Sequence, residues 1–149
     1  MNVPSSEIIL REPEILECVD ILADYVDSWV LDLQPNTPII GVANASVLLI
    51  ADLLPRLKHP YTFRFWDPHI ENFPLIYSPC VVIDTLYDSG ATMDKVLHSN
   101  IRCCLFSKKR YPRVQFYAKE VPEIFLFGYG LDDRDGTKRG LRNLYGRKN

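Results

Sequence analysis

The sequence predicts a single α/β domain in which a mostly parallel β-sheet is flanked by helices. Three observations indicate this class: a long amphipathic helical pattern near the start, five short apolar runs after it, and helical patterns between several of those runs. Strands that alternate with helices form parallel βαβ units, and continuous apolar runs are typical of strands covered on both faces. The length of 149 residues suits one domain.

The first predicted element is a helix over residues 13–33. Apolar residues recur there at steps of three and four, which places them along one stripe. The members of this stripe are Ile15, Val19, Leu22, Val26, Val30 and Leu33. Acidic residues from Glu14 to Asp27 occupy the other face, which we interpret as solvated surface. Pro35 and Pro38 end the helix.

The five apolar runs predict strands over residues 38–43, 61–66, 80–84, 102–107 and 123–128. The first, third and fifth runs are continuous rather than alternating. A helical pattern with Ser46 as its N-cap follows the first run, and its apolar stripe is Val47, Ile50, Leu54 and Leu57. A shorter helical pattern over residues 92–99 follows the third run. Because no internal repeat or linker interrupts this order, we expect one domain over residues 1–149.

Composition argues against several function classes. Hydrophobic residues make up 47% of the chain, and the formal net charge is only -2. Neither a disordered tail nor binding to nucleic acid or an anionic membrane by bulk charge fits those values. The chain has neither a secretory-signal pattern nor an apolar stretch of roughly 18 residues that could span a membrane. The cysteines form no C-x-x-C pair and three lie in apolar runs, which predicts reduced thiols and a cytoplasmic protein.

The third apolar run leads into the segment with the most specific chemistry, Val81-Val-Ile-Asp-Thr-Leu-Tyr-Asp-Ser-Gly-Ala-Thr92. Residues 88–92 are small or hydroxylated and precede a predicted helix, where backbone N–H groups favour a phosphate. Asp84 and Asp88 stand at either end of the turn. One carboxylate suits a ribose hydroxyl or a metal ion, and the other can accept a proton. A capped turn without a ligand is the alternative that these residues leave open.

The longer pattern, an apolar run, an acid, three residues and D-[ST]-G-x-T, resembles the phosphoribosyl-pyrophosphate signature of the type I phosphoribosyltransferases. Residues 41–54 are similar to the pyrophosphate-binding loop and following helix of the hypoxanthine-guanine branch. Residues 125–132 are similar to the purine-binding strand end of that branch. The resemblance covers nearly the whole chain in the family's order. It implies a purine salvage pentosyltransferase that joins hypoxanthine or guanine to phosphoribosyl pyrophosphate and releases pyrophosphate.

The resemblance also implies phosphate-binding residues. Those expected to bind the 5-phosphate are Asp88, Ser89, Gly90, Ala91 and Thr92. Asp88 would also act as the general base at N7 of the purine. Asp84, with Thr85 beside it, would hold the ribose hydroxyls directly or through Mg²⁺, which is the implied cofactor.

Pyrophosphate would bind the backbone N–H groups of a loop that often contains a cis peptide bond in the family. In this chain the loop residues are Ala43, Asn44, Ala45 and Ser46. Arg139 resembles a family arginine that contacts pyrophosphate, if one inserted residue is allowed. A solvated basic tail is the alternative for Arg139 on composition alone.

The resemblance also implies a purine pocket at the ends of the fourth and fifth apolar runs. Lys108 matches the family lysine that selects the oxo group of 6-oxopurines, and Lys109 takes its place if the register slips by one. Phe125 would stack on the purine, and the backbone at Leu126 would contact its edge. Asp132 would complete the pocket or bind a second metal ion. The resemblance implies a homodimer or homotetramer.

Two features depart from the family pattern. Thr85 stands where the family usually carries a second acid, which predicts weaker metal binding or a lower rate. Between Asp67 and Cys80 the chain has a short segment with three prolines and no Ser-Tyr pair, where the family has a long mobile loop. Because proline restricts backbone freedom, we expect a stiff connection there. The alternatives are a non-catalytic sensor of phosphoribosyl pyrophosphate or nucleotide, and a transferase for another base such as xanthine.

Overall fold

The computed structural model describes residues 6–33 and 36–148, and only the backbone of residues 30–33. The helices and strands of this part of the chain are β1 (Ser6–Leu10), α1 (Glu12–Leu33), β2 (Thr37–Val42), α2 (Val47–Leu53), β3 (Tyr61–Trp66), β4 (Val81–Tyr87), β5 (Ile101–Ser107), β6 (Phe116–Glu120), β7 (Phe125–Phe127) and β8 (Leu144–Arg147). Short 3₁₀ turns cover Leu54–Arg56, Leu75–Tyr77 and Met93–Lys95. None of the described helices is long and apolar enough to cross a membrane.

The main sheet has five strands in the order β3-β2-β4-β5-β6, and every neighbouring pair is parallel. This arrangement confirms the predicted fold class. From β2 the chain moves outward to β3 on one side, and from β4 it moves through β5 to β6 on the other. The reversal between β2 and β4 opens a crevice at their carboxyl ends, which is the usual ligand site of open α/β sheets.

The predicted strand over residues 123–128 does not join the main sheet. Phe125–Phe127 form β7, which pairs antiparallel with β8 in a small sheet of order β1-β8-β7. Apolar residues do not alternate with polar ones in this run, because both faces of the strand are packed. Leu126 packs into the main core, and Phe127 stacks on Tyr145 on the opposite face. The fifth position of the main sheet belongs to β6, an edge strand whose residues are half-buried or exposed. Periodicity therefore gave no signal for β6.

The main core lies between α1, α2 and the parallel sheet. The described members of the predicted α1 stripe are fully buried, whereas the side chains of Val30 and Leu33 lie outside the described residues. The prediction of a solvated acidic face is wrong at Asp27, which is buried. Its carboxylate accepts hydrogen bonds from the backbone N–H groups of Lys58 at 3.0 Å and His59 at 3.3 Å. Asp27 thus holds the connection between α2 and β3.

The loop before α2 differs from the predicted N-cap. Ser46 precedes the helix, but its hydroxyl donates to the Val42 carbonyl at 2.6 Å and caps no helical N–H group. The buried residues of α2 are Leu49, Ile50 and Leu53. The predicted stripe included Val47 instead of Leu49, and the structure leaves Val47 exposed.

The predicted helix over residues 92–99 is absent. Only the 3₁₀ turn Met93–Lys95 forms, because Val96 already has an extended backbone with φ -92° and ψ 134°. Met93 and Val96 are buried against the sheet, but Leu97 is half exposed. A continued helix would bury too few apolar side chains to be stable at this length. The turn at residues 88–92 therefore has no helix dipole behind it.

All four cysteines are buried free thiols, as expected for reduced core residues: Cys18, Cys80, Cys103 and Cys104. Burial raises the pKa of each thiol above its ordinary value. They belong to the packing of the core rather than to a reactive site.

Candidate active site

Three segments of the chain meet in the crevice between β2 and β4: the loop after β2, the strand β4 and the loop after β7. Ala45, in the loop after β2, contacts the other two segments. The hydroxyl of Thr85 at the end of β4 donates to the Ala45 carbonyl at 3.0 Å. Gly130, in the loop after β7, approaches the same carbonyl so closely that a Cβ atom there would lie 2.1 Å from the oxygen. Gly130 also has φ +93°, a conformation that favours glycine. The loop after β2 is thus held from both sides.

Within this loop, two backbone N–H groups point to protein acceptors and two do not. The N–H of Ala43 donates to the Trp66 carbonyl at 2.8 Å, and that of Ser46 donates to the Val42 carbonyl at 3.2 Å. The N–H groups of Asn44 and Ala45 donate to none of the described residues. The Ala43–Asn44 peptide bond is cis, as the resemblance implies. An anion at this loop would bind the N–H groups of Asn44 and Ala45.

Asp84 lies in the middle of β4, where it is buried and lines the cavity at the turn that follows this strand. It accepts a hydrogen bond from the Thr85 N–H at 2.7 Å and forms no ion pair with a described residue. Burial raises the pKa of its carboxyl group to about 7. A buried carboxylate without a cation is stabilised by any ligand that brings one, or that donates hydroxyl hydrogen bonds.

The turn at residues 88–92 has the features of an anion-binding site. It lines a cavity of about 70 Å³ together with Asp84 and Tyr87. The N–H groups of Ser89, Gly90 and Thr92 donate to no acceptor within the described residues. Gly90 has φ +91°, and a Cβ atom there would lie 2.4 Å from the Tyr87 hydroxyl. Only glycine fits this close approach, and N–H groups without a protein acceptor beside a cavity are suited to an anion.

Lys108 and Lys109 have different environments. The Nζ atom of Lys108 lies 3.2 Å from the Asp88 carboxylate, and its side chain is only 12% exposed whereas that of Asp88 is 65% exposed. Lys109 points away from the crevice and pairs with Glu123 at 2.6 Å, a contact that raises its pKa. The structure therefore brings Lys108, and not Lys109, to the predicted general base.

Arg139 and Asp132 lie in the segment between β7 and β8, the third segment at the crevice. Arg139 donates to the Gly130 carbonyl at 2.7 Å and pairs with the Asp132 carboxylate. The other carboxylate oxygen of Asp132 is buried and has no hydrogen-bond partner among the described residues. Arg139 and Asn44 line a common cavity of about 190 Å³. The sequence places these two residues far apart, and the fold brings them to one cavity.

The two remaining predicted purine residues lie on β7. The side chain of Leu126 packs into the main core. The half-buried ring of Phe125 lies under the guanidinium groups of Arg134 at 5.2 Å and Arg147 at 5.9 Å. These two guanidinium groups occupy the space over the Phe125 ring.

Sequence reasoning missed the network that anchors the loop after β7. Tyr129 is fully buried, and its hydroxyl donates to Asp52 of α2 at 2.6 Å. Arg142 pairs with the same Asp52 carboxylate at 2.8 Å and with Glu12 at 3.3 Å. No local pattern indicates these contacts, because the partners are far apart along the chain.

The segment between β3 and β4 is a packed connection. The Trp66 indole N–H donates to the Glu71 carbonyl at 3.1 Å, and the rings of Trp66 and Phe73 meet edge-to-face at 5.3 Å. The amides of Ile70 and Glu71 both donate to the Asp67 carbonyl. These contacts agree with the predicted stiff connection in place of a long mobile loop.

No protein-family model and no curated protein matches the chain. Solved structures do. The hypoxanthine phosphoribosyltransferase of Trypanosoma cruzi in complex with the product IMP is similar with a TM-score of 0.79 at 21% identity, over 99% of this chain and 92% of that one. The corresponding enzyme of Leishmania tarentolae in complex with GMP has a TM-score of 0.81 at 19% identity, over 99% and 100% of the two chains.

A hypoxanthine-guanine phosphoribosyltransferase from Bacillus anthracis is similar at 19% identity, with a TM-score of 0.78 over 95% of this chain and 99% of that one. The fold is that of the hypoxanthine phosphoribosyltransferases. This likeness agrees with the resemblance seen in the sequence motifs. At these identities the likeness establishes the architecture of the chain.

Proposed function

We propose that the protein is a 6-oxopurine phosphoribosyltransferase of cytoplasmic purine salvage. The observation that carries this proposal is the convergence at one crevice of an anion-binding turn, a second loop with accessible N–H groups, and the Lys108–Asp88 pair. The first two bind the two phosphate ends of phosphoribosyl pyrophosphate. The pair binds and deprotonates the purine between them.

The two phosphate groups are assigned by position. The 5-phosphate binds the turn formed by residues 88–92, where Ser89, Gly90 and Thr92 offer N–H groups. The pyrophosphate binds the N–H groups of Asn44 and Ala45, and Arg139 supplies a positive charge from the shared cavity. Asp84 lies between the two subsites and accepts hydrogen bonds from the ribose hydroxyls.

Mg²⁺ fits this site when the substrate carries most of its ligands. Among the described residues no three acidic, histidine or cysteine side chains come together as a metal site. Mg²⁺ commonly binds one or two carboxylates plus substrate phosphates and water, and it neutralises developing negative charge on a leaving pyrophosphate. Asp84 would hold it, because this buried carboxylate lacks a cation, and the unpartnered oxygen of Asp132 is the second candidate.

Lys108 binds the purine and Asp88 deprotonates it. Lys108 exchanges its contact with the Asp88 carboxylate for the O6 atom of the purine, which selects 6-oxopurines over aminopurines. Asp88 is then free to accept the proton from N7 while the bond to C1 of the ribose forms. The carboxylates near the ribose stabilise the positive charge that develops in the oxocarbenium-like transition state. Phe125 and the backbone at Leu126 complete the purine pocket in this proposal, which requires that the guanidinium groups of Arg134 and Arg147 move off the Phe125 ring when the purine binds.

The test is a product assay with purified protein, Mg²⁺ and phosphoribosyl pyrophosphate. Hypoxanthine, guanine, xanthine and adenine are supplied in separate reactions, with Asp88→Asn as the matched control variant. We expect nucleotide from hypoxanthine or guanine, and a decrease in turnover of roughly 10²–10⁴-fold in the variant with little change in phosphoribosyl-pyrophosphate affinity. Equal loss of turnover and affinity would remove the base assignment from Asp88.

Two specific features favour a second candidate, a non-catalytic sensor of the same ligands. They are Thr85 at the position of an acid and the packed connection between β3 and β4. A protein that binds phosphoribosyl pyrophosphate by calorimetry but forms no product with any base would support the sensor. Product from xanthine alone would instead support a transferase of the same reaction class whose substrate is xanthine.

A further inference from the structure

The turn at residues 88–92, which binds the 5-phosphate in the proposed function, has little positive charge around it. No α-helix follows it, so no helix dipole attracts the anion. Asp84, Asp88 and Asp94 all lie in or beside the turn, and their negative charges oppose a phosphate dianion. Lys108 is already paired with Asp88 and is assigned to the purine. The N–H groups of the turn therefore need a further cation beside them.

Arg113 is positioned to supply that cation. Its guanidinium nitrogen Nη2 lies 3.4 Å from the point where a Cβ atom of Gly90 would stand, so the charge lies beside the turn. The same nitrogen pairs with Asp94 at 2.7 Å, and the two side chains are 65% and 46% exposed. An ion pair this exposed is weak and exchanges readily for a better anion.

Tyr87 fixes the backbone that carries this arginine. Its ring lies directly beneath Gly90, and its hydroxyl accepts a hydrogen bond from the Arg113 N–H at 3.3 Å. Tyr87 itself is buried at the end of β4. The strand that positions the turn thus also positions the loop that follows β5, which brings Arg113 to the phosphate subsite from a different part of the chain.

We propose that Arg113 is a substrate-binding residue of this protein that contacts the 5-phosphate, with Tyr87 as its positioning residue. On binding, the guanidinium exchanges the Asp94 carboxylate for phosphate oxygens, which it can hold with two parallel hydrogen bonds. The arginine provides the positive charge that a helix N-terminus would provide in a longer crossover. This inference rests on the proposed function, since it assumes that a phosphorylated ribose occupies the turn.

Calorimetry with two probes tests it, because each probe reports one phosphate subsite. Ribose 5-phosphate reports the turn, and inorganic pyrophosphate reports the loop after β2. We expect Arg113→Gln to weaken ribose 5-phosphate binding by roughly 10- to 100-fold, the range of a charge-assisted hydrogen bond, with pyrophosphate affinity unchanged. Arg113→Lys should recover part of the loss, and Arg139→Gln should show the reverse selectivity.

Arg110→Gln is the matched control, because Arg110 lies in the same loop with its guanidinium over the exposed ring of Tyr111. It removes the same charge without touching the turn, so ribose 5-phosphate affinity should stay near wild type. Tyr87→Phe removes the acceptor of the Arg113 N–H, and a smaller loss confined to ribose 5-phosphate is expected. Thermal unfolding of each variant checks that it folds.

Failure of the proposed function and failure of the Arg113 assignment would give different results. Wild-type protein that binds neither probe would overturn the proposed function itself. Wild-type binding to both probes, with Arg113→Gln equal to wild type or with Arg110→Gln equally weakened, would overturn only the assignment of Arg113. In the second case the loss would reflect the general charge of the loop.

Discussion

Asp84→Asn should stabilise the protein, and the gain should depend on pH. The Asp84 carboxyl group is buried without a cation among the described residues, and its pKa rises from an ordinary value of 3.8 to about 7. Between these values the unfolded chain has lost the proton while the folded protein still holds it. Ionisation therefore favours the unfolded state, and the stability of the wild type falls as the pH rises through this window. Asparagine keeps the acceptor for the Thr85 N–H and cannot ionise.

The size of the effect follows from the same values. A difference of about 3 pKa units, at about 1.4 kcal/mol per unit, corresponds to about 4 kcal/mol of unfolding free energy. The two proteins should be equally stable near pH 4, and the variant should gain steadily up to about pH 7 and hold a constant advantage above it. For a chain of this length the full difference is roughly 8–16 °C in melting temperature.

Paired urea unfolding at pH 4.5, 6, 7 and 8.5, without Mg²⁺ or substrate, measures the difference directly. Asp24→Asn is the control, since it makes the same replacement at an exposed position of α1. A constant difference for Asp84→Asn across the series would refute the buried-carboxylate reasoning. The variant should also lose transferase activity, because the same carboxylate is the proposed ligand of ribose and Mg²⁺.

Three further changes test the crevice. Lys108→Ala should weaken guanine binding by roughly 10- to 100-fold in calorimetry, while Lys109→Ala leaves it unchanged, because only Lys108 reaches Asp88. Thr85→Val removes the donor to the Ala45 carbonyl and should raise the KM for phosphoribosyl pyrophosphate, whereas Thr85→Ser should restore it; equal kinetics of the two variants would exclude this tether. Gly130→Ala places a methyl group against the Ala45 carbonyl at φ +93° and should lower the unfolding free energy by roughly 1–3 kcal/mol in urea. An unchanged urea midpoint would show that the loop relaxes freely.

The α1 helix and the apolar strands were predictable because side-chain spacing reports which face of an element is buried. Ile15 and Val19 lie one helical turn apart, and both are fully buried as their spacing requires. The turn at residues 88–92 was predictable for a related reason, since small residues and glycine after a buried strand permit close approach to an anion. In each case neighbours along the chain carry the information.

The errors arose where distant residues decide the outcome. Asp27 lies on the polar side of its helix, but it is buried because the backbone of Lys58 and His59 folds against it. The helix predicted after Thr92 fails because only two of its apolar residues find a core to enter. The sheet to which Phe125–Phe127 belong depends on a partner strand near the end of the chain.

The sequence alone predicted the class of the fold, the helix α1 and the turn of small residues at positions 88–92. Local spacing and steric freedom are sufficient for these features. Only the tertiary structure decided that Lys108 rather than Lys109 faces Asp88, that Arg139 shares a cavity with Asn44, and that Arg113 lies beside Gly90. These pairs are separated by many residues, and the parallel sheet, with its reversal between β2 and β4, brings them to one edge.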